Sequence, residues 1–387
     1  MKKAISSISI FLIMILMIGC NQIAEKSNPP NTISTNIKKV EIVEENYQKV
    51  FGDVKVETLR AQLSDGRPWL ELAISDKGEI FGFTPQTKDS PMEIISYNLN
   101  TKTLQSIYSS NNDVSPIYFK FNDNYLAWTE VTNNSSQGIS RIVVYDRKTQ
   151  KVTVVNENKE FSTNESYEMI ALNSDYLLWS TSKTDKGKVI NEIMKYDLKT
   201  QEISLLRENA IMPIVGKDFI AWLGPEDDQM KYSAIYLNDL KDNSIKKIVT
   251  DGQHPTYINT DGISIVITGF SSENPNLKVL SVYQNGEIRI IKESKTDYFE
   301  FPEISQNFVG WRGTLKLSVY SRKDDKIGIL TEEYAAYTEV KVSDKYILWH
   351  SPAIKDENEA RQKAMEQNIY LSDLHVISKD DFVQLQE

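Results

Sequence analysis

The 387-residue chain holds a single cysteine, Cys20, and only three histidines, His254, His350 and His375. One thiol excludes a disulfide framework and any zinc site built on several cysteines. The histidines stand in three separate regions and leave little for a histidine-based metal centre, so no metal and no cofactor are expected. Basic residues are the minority, 44 Lys and Arg against 54 Asp and Glu, for a net charge of -10. Such a surface disfavours nucleic acid, because counterion release needs Lys and Arg facing phosphate. A nucleophile elbow, a glycine-rich phosphate loop, a His-Glu-x-x-His pair and an Asp-x-Asp-x-Asp-Gly calcium loop are all missing. No catalytic residue follows from motifs. What remains is ordinary globular composition, with 40% hydrophobic and 25% charged residues.

The one sustained apolar run, Ala4 to Ile18, is short for a membrane span and follows Lys2 and Lys3. That layout fits a signal peptide. The run ends in Leu16-Met17-Ile18-Gly19-Cys20, which resembles the bacterial lipobox, with Met17 where that motif usually has Leu. The resemblance implies cleavage before Cys20 and a diacylglycerol on its thiol. Residues 1–19 are therefore expected to be a lipoprotein signal peptide, with Cys20 lipidated and the chain held at the extracytoplasmic face of the cell membrane. The following NQIAEKSNPPNTISTNIKK has no apolar period, so 20–45 is expected to be a flexible tether and 46–387 the folded domain.

Self-similarity organises the rest. NDNYLAW ends at Trp128, NSDYLLW at Trp179, GKDFIAW at Trp222, SQNFVGW at Trp311 and SDKYILW at Trp349, with weaker copies ending at Phe83 and Val266. Successive anchors are 45, 51, 43, 44, 45 and 38 residues apart. Seven copies near that period predict an all-β, seven-bladed β-propeller of four-stranded antiparallel blades. Each anchor strand follows an apolar stretch such as SPIYFKF and precedes a strand such as RIVVYDRKTQK, whose Asp146 reads as a turn-former, as does Asp197 in its own copy. The Trp anchors are expected to fill the wedge between blades rather than to stack on a ligand.

These Tyr-Asp-Leu-Lys-Thr and Asp-Lys-Tyr-Ile-Leu-Trp phrases resemble the TolB-type, WD40-like propeller repeats of bacterial envelope proteins, over roughly residues 68 to 378. The usual Ser-Pro-Asp-Gly turn is approached only at Ser75-Asp76-Lys77-Gly78 and Thr260-Asp261-Gly262. The resemblance implies a binding or scaffolding propeller and transfers no active-site residue. An open ring would expose two sheet edges. The last copy lacks a good fourth strand, while residues 54–60 alternate apolar and polar without a blade of their own, so they are expected to close it.

On the innermost strands one period-2 set is apolar throughout, and the other carries charges of both signs. Glu71, Lys120, Tyr257, Glu303, Glu339 and Lys341 are thus expected to face a water-filled axial channel as candidate ligand-binding groups. His254 joins them from a strand entry, and each of these has a plainer reading as a paired or solvated group. The cluster Glu226-Asp227-Asp228 reads as solvated charge. Second-to-third-strand connections are long, above all HSPAIKDENEARQKAMEQ, where Lys355 to Gln367 predicts a short helix. Together these features predict a monomeric, membrane-anchored propeller binding an envelope protein or carbohydrate. An envelope polysaccharide hydrolase or lyase using channel carboxylates, and a solute-binding lipoprotein, are the alternatives.

Overall fold

The computed structural model describes residues 31–380 except 40, 133–137, 162–168, 187, 227–231, 251, 315, 333–338 and 368–370. The signal peptide, Cys20, Asp227 and Asp228 lie outside the described residues. Seven sheets form a ring, here called blades 1 to 7 in chain order. Their innermost strands are Leu70–Ile74, Val114–Phe121, Ile170–Leu172, Ile211–Val215, Gln253–Thr260, Glu300–Ile304 and Lys341–Val342. Each touches the next, and the seventh touches the first, so the ring is closed.

Period-2 alternation gives each blade two apolar faces, and each interface between blades gathers one apolar cluster. Phe81, Phe83 and Ile94 of blade 1 meet Leu126 and Trp128 of blade 2; Trp179, Trp222, Trp311 and Trp349 fill equivalent positions against their preceding blades. All five anchors are buried. Their structural role is what the repeat predicted.

The turns follow local chemistry. Asp146 Oδ1 accepts from the backbone N–H of Lys148 (2.8 Å) and Thr149 (2.9 Å), and Asp197 does the same with Lys199 and Thr200. Those donors, the Thr149 and Thr200 amides foremost, hold both carboxyls below the usual aspartate range. The short turns between first and second strands, and those between third and fourth strands at the same end, are tied across blades. Lys77 reaches Asp123 at 2.6 Å, Arg147 reaches Glu79 at 2.7 Å, and the Asn307 amide donates to Asp344 O at 2.7 Å.

The N-terminal segment departs from expectation. Instead of a tether through residue 45, the chain is paired from Asn31 onward. Strands β1 (Asn31–Ile33), β2 (Asn36–Lys39) and β3 (Val43–Asn46) add in parallel to the outer edges of blades 4, 5 and 6. Helix α1 (Tyr47–Phe51) then leads to β4 (Glu57–Arg60), the antiparallel outer strand of blade 7 against Ser372–Ser378. Closure by residues 54–60 is thus found at 57–60. The parallel strap escaped the sequence because segments of three or four residues have no readable period. Their strand state comes from the edges they join.

One connection is also shorter than expected. STSKTDKGK extends the ladder of blade 3, Tyr176–Asp185 against Lys188–Asp197, rather than forming a loop. The expected helix is present as α2 (Glu357–Gln367).

Candidate functional site: the axial charge cluster

Innermost strands leave one edge unpaired along the axis, which is why prolines 116, 213, 255 and 302 are tolerated there. Five of these strands also carry a register shift against their neighbours, at Glu71/Ala73 in blade 1 and at comparable places in blades 2, 4, 5 and 6. In three of them a non-glycine residue takes positive φ: Tyr118 (51°), Met212 (52°) and Phe301 (47°). Such bulges re-aim the side chains that follow.

The result is a chain of contacts across the axis. Lys120 Nζ donates to Asn259 Oδ1 at 3.3 Å, and the Asn259 amide donates to Glu303 Oε2 at 3.2 Å. Lys341 Nζ lies 3.4 Å from Glu303 Oε1 and pairs tightly with Glu339. Lys120 belongs to blade 2 and Asn259 to blade 5, three places apart on the ring. A hydrogen bond between them can only cross the centre. The channel is therefore narrow here, and these groups point into it.

Burial alone would lower the Lys341 pKa, yet Glu339, Glu303 and Glu71 together raise it well above the ordinary lysine value. Burial first, then the nearby Glu303 and Glu339, push the Tyr257 phenol well up as well. Both groups keep their protons at neutral pH. Beside them, His350 Nδ1 meets Glu71 Oε1 at 2.8 Å, with both side chains almost wholly buried.

Six of the seven residues singled out from the sequence thus lie in or beside one cluster: Glu71, Lys120, Tyr257, Glu303, Glu339 and Lys341. His254 does not. It sits half-exposed, its Nδ1 3.5 Å from Glu226 Oε2, at the boundary of blades 4 and 5. Its place at the strand entry turns it toward the neighbouring blade, not the axis. Asn259 and His350 were missed. His350 directly follows the Trp349 anchor, at the place Thr129 and Ser180 occupy in their copies, and all three are buried. A polar residue recurring at one buried position was the available signal.

Among the described residues no group of three or more His, Cys, Asp and Glu side chains is placed to hold a metal ion. A second concavity of roughly 610 Å³ opens between blades 5 and 6 beside Asp261, Gln284, Arg289 and Arg322. There Arg322 is committed to the structure, donating to Asp261, Ser264, Gln284 and the Ser305 carbonyl.

The ammonium of Lys341 is the hub of the axial cluster. Lys341→Met should leave Glu303 and Glu339 facing each other without a counterion. Breaking a fully buried pair costs about 3–5 kcal/mol. Both carboxylates keep 30% side-chain exposure, so water recovers part of this and about 1–3 kcal/mol is expected. Because the folded-state pKa is raised, this contribution is complete below the ordinary lysine range and fades as pH climbs through the raised value. Urea melts of Lys341→Met and of the triple variant with Glu303→Gln and Glu339→Gln check this. The triple variant should recover most of the loss, and a single variant as stable as the parent would contradict it.

Comparison with solved structures supports the fold. Oligogalacturonate lyase in complex with manganese aligns with a TM-score of 0.56 at 13% identity, over 84% of this chain and 97% of that one. The β-propeller domain of the Trilobed protease from Pyrococcus furiosus, which has an open velcro topology, aligns at 0.50 and 14% identity, over 73% and 91%. TolB from Acinetobacter baumannii aligns at 0.44 and 15% identity, over 66% and 64%. No protein-family model and no curated protein matches the chain. The likeness to that β-propeller domain supports the fold, and the seven sheets of the ring give its size: the chain is a seven-bladed β-propeller with four- or five-stranded blades.

Proposed function

We propose that this propeller is a lipid-anchored, extracytoplasmic binding module. In this reading it engages a partner protein or envelope ligand through the end of the disc that carries the second-to-third-strand connections. The observation that carries the reading is the contrast between the two ends. Short turns at one end are bonded to one another across the blade 1–2, 2–3, 4–5, 5–6, 6–7 and 7–1 interfaces, which leaves them little freedom to adapt. At the other end stands α2, seated through the buried Ala360 and presenting Met365 with 77% of its surface exposed. Binding sits where a rigid scaffold carries long connections. Glu303 and Glu339 share the Lys341 ammonium and Glu71 is bonded to His350, which favours a binding or structural role for the axis over acid and base chemistry.

The experiment is photocrosslinking on intact cells. Replacing residues 355–367 by a Gly-Ser turn should abolish crosslinks from that end, while an equal change in the Asp146–Gln150 turn should leave them unaltered. Equal crosslinking in both variants, with unchanged melting temperature, would remove α2 from the binding surface. In the same cells Cys20→Ser should move the protein from the membrane to the soluble fraction; retention at the membrane would sink the anchor.

A further inference from the structure

The strap divides the rim into two halves. Blades 4, 5 and 6 carry a fifth strand, and blade 7 takes β4, but among the described residues no further strand pairs with the outer strands of blades 1, 2 and 3. These are Thr103–Ser110, Lys151–Phe161 and Ile203–Glu208. Along 103–110, 151–155 and 203–208 the outward N–H and C=O groups form ready templates for another strand.

The side chains divide the same way. One register position recurs in six blades, the residue opposite the penultimate residue of the third strand. It is Leu104, Val152 and Ile203 in blades 1 to 3, paired with Tyr97, Tyr145 and Tyr196. It is Ile245, Ile288 and Ile327 in blades 4 to 6. Under the strap, Ile288 is 2% and Ile327 1% exposed, with Ile37 and Glu44 of the strap lying directly alongside. On the open half the equivalents are 40%, 37% and 49% exposed. Two residues further on, Val154 (51%) and Leu205 (48%) extend the apolar row along the same side. No fourth-strand apolar residue of blades 4 to 6 is comparably exposed. Large side chains at alternate positions of an open edge are what an added strand would cover.

From this we infer that the open rim of blades 1 to 3 is a second docking surface, which takes an extended segment of another polypeptide as an added outer strand. The occupant follows from the strap itself. On three consecutive blades this fold accepts a short parallel strand at the outer edge, and Ile33 of that strand packs against the blade 4–5 core. Blade 3 is next to blade 4 on the ring, so a strand on Ile203–Glu208 would continue the same tier. The partner segment is accordingly extended, runs parallel to the edge and carries an apolar residue at alternate positions. Backbone hydrogen bonds would supply affinity, and the Val154 and Leu205 rows would set its register.

The test uses the full mature chain and, as probe, a fluorescein-labelled synthetic peptide of residues 31–46, which already suits such edges. Saturable binding is expected, together with slowed hydrogen exchange at 151–155 and 203–207. Val154→Lys combined with Leu205→Lys should weaken binding about tenfold or more, which is about 1.4 kcal/mol or more. Ile263→Lys, equally exposed in a turn of blade 5, should not. Both sites are on the surface, so melting temperatures should be unchanged, and a thermal melt confirms folding. Equal affinity in the edge variant, or equal loss in the control, overturns the proposal. Two further results also overturn it. One is a dimer in sedimentation that the edge variant dissolves, which would make the occupant a second copy. The other is binding to phosphatidylglycerol vesicles that the edge variant loses, which would make it a lipid surface.

Discussion

A chain beginning at Ser64 is expected to melt at least 10 °C below the chain beginning at Cys20, or to fail to fold. It loses β4, so Ser372–Ser378 becomes an exposed edge and blade 7 is left with three strands. It also loses Phe51 and Val54, both buried against Phe308, Ile347 and Trp349. Burial of each is worth about 1.5–3 kcal/mol. Ala61 and the α1 contacts add to this, against a total stability of about 5–15 kcal/mol. A second truncation beginning at Tyr47 separates the parts. It removes β1 to β3 yet keeps α1 and β4, so its melting temperature should fall between the other two. Thermal melts followed by circular dichroism decide it. If the chain starting at Ser64 melts with the parent, β4 does not hold the ring.

Trp128→Ala should cost about 3–5 kcal/mol, as truncation of a large buried aromatic does. Trp128 is fully buried between blades 1 and 2, near Tyr108 (5.1 Å between ring centroids) and Phe119 (6.4 Å). Its indole N–H also donates to Glu130 Oε1 at 3.2 Å, and Glu130 is itself buried. Truncation therefore opens a cavity and strips a hydrogen bond from a buried carboxylate, which places the effect in the upper part of the range. Tyr108 in the same pocket has its pKa pushed up to about 12, by burial first and Glu130 second. A denaturant melt with a change below about 1 kcal/mol would show that the side chain does not bridge the blades.

The blades were legible because each repeats one phrase. An apolar anchor, Trp in five of the seven copies, an Asp or Asn turn and alternating apolar residues recur, and each element states its own chemistry locally. The charged set on the innermost strands was legible for the same reason, since Glu71, Lys120, Glu303 and Lys341 break an otherwise apolar alternation. Pairings across the ring were not. Lys120 with Asn259, and Glu71 with His350, join residues 139 and 279 apart, and no local pattern marks a partner at that distance. His254, expected at the channel from its place at a strand entry, turns to Glu226 instead, and Asn259 was not singled out, because register shifts in the innermost strands defeat strict period-2 counting. The strap was hidden for a related reason. Asn36–Lys39 reads as polar linker, and it becomes a strand only because Glu287–Ile290 offers it an edge.

The strap also sets the order in which the ring can be finished. Ile33 pairs with Ile248, Glu44 with Ile327 and Glu57 with Val376, so each of these earlier residues waits for a partner made more than 200 residues later. At a synthesis rate of about 5–20 residues per second, roughly 10–45 s separate Ile33 from its partner. Contacts this distant in sequence make closure slow, since the loop entropy must be met before any pairing rewards it. Throughout that interval three short strands and one closing strand stand without edges to join. A chain released before blade 7 exists leaves Glu57–Arg60 with nothing to close against. Completion of the circle is therefore withheld until the chain has been made through Val376.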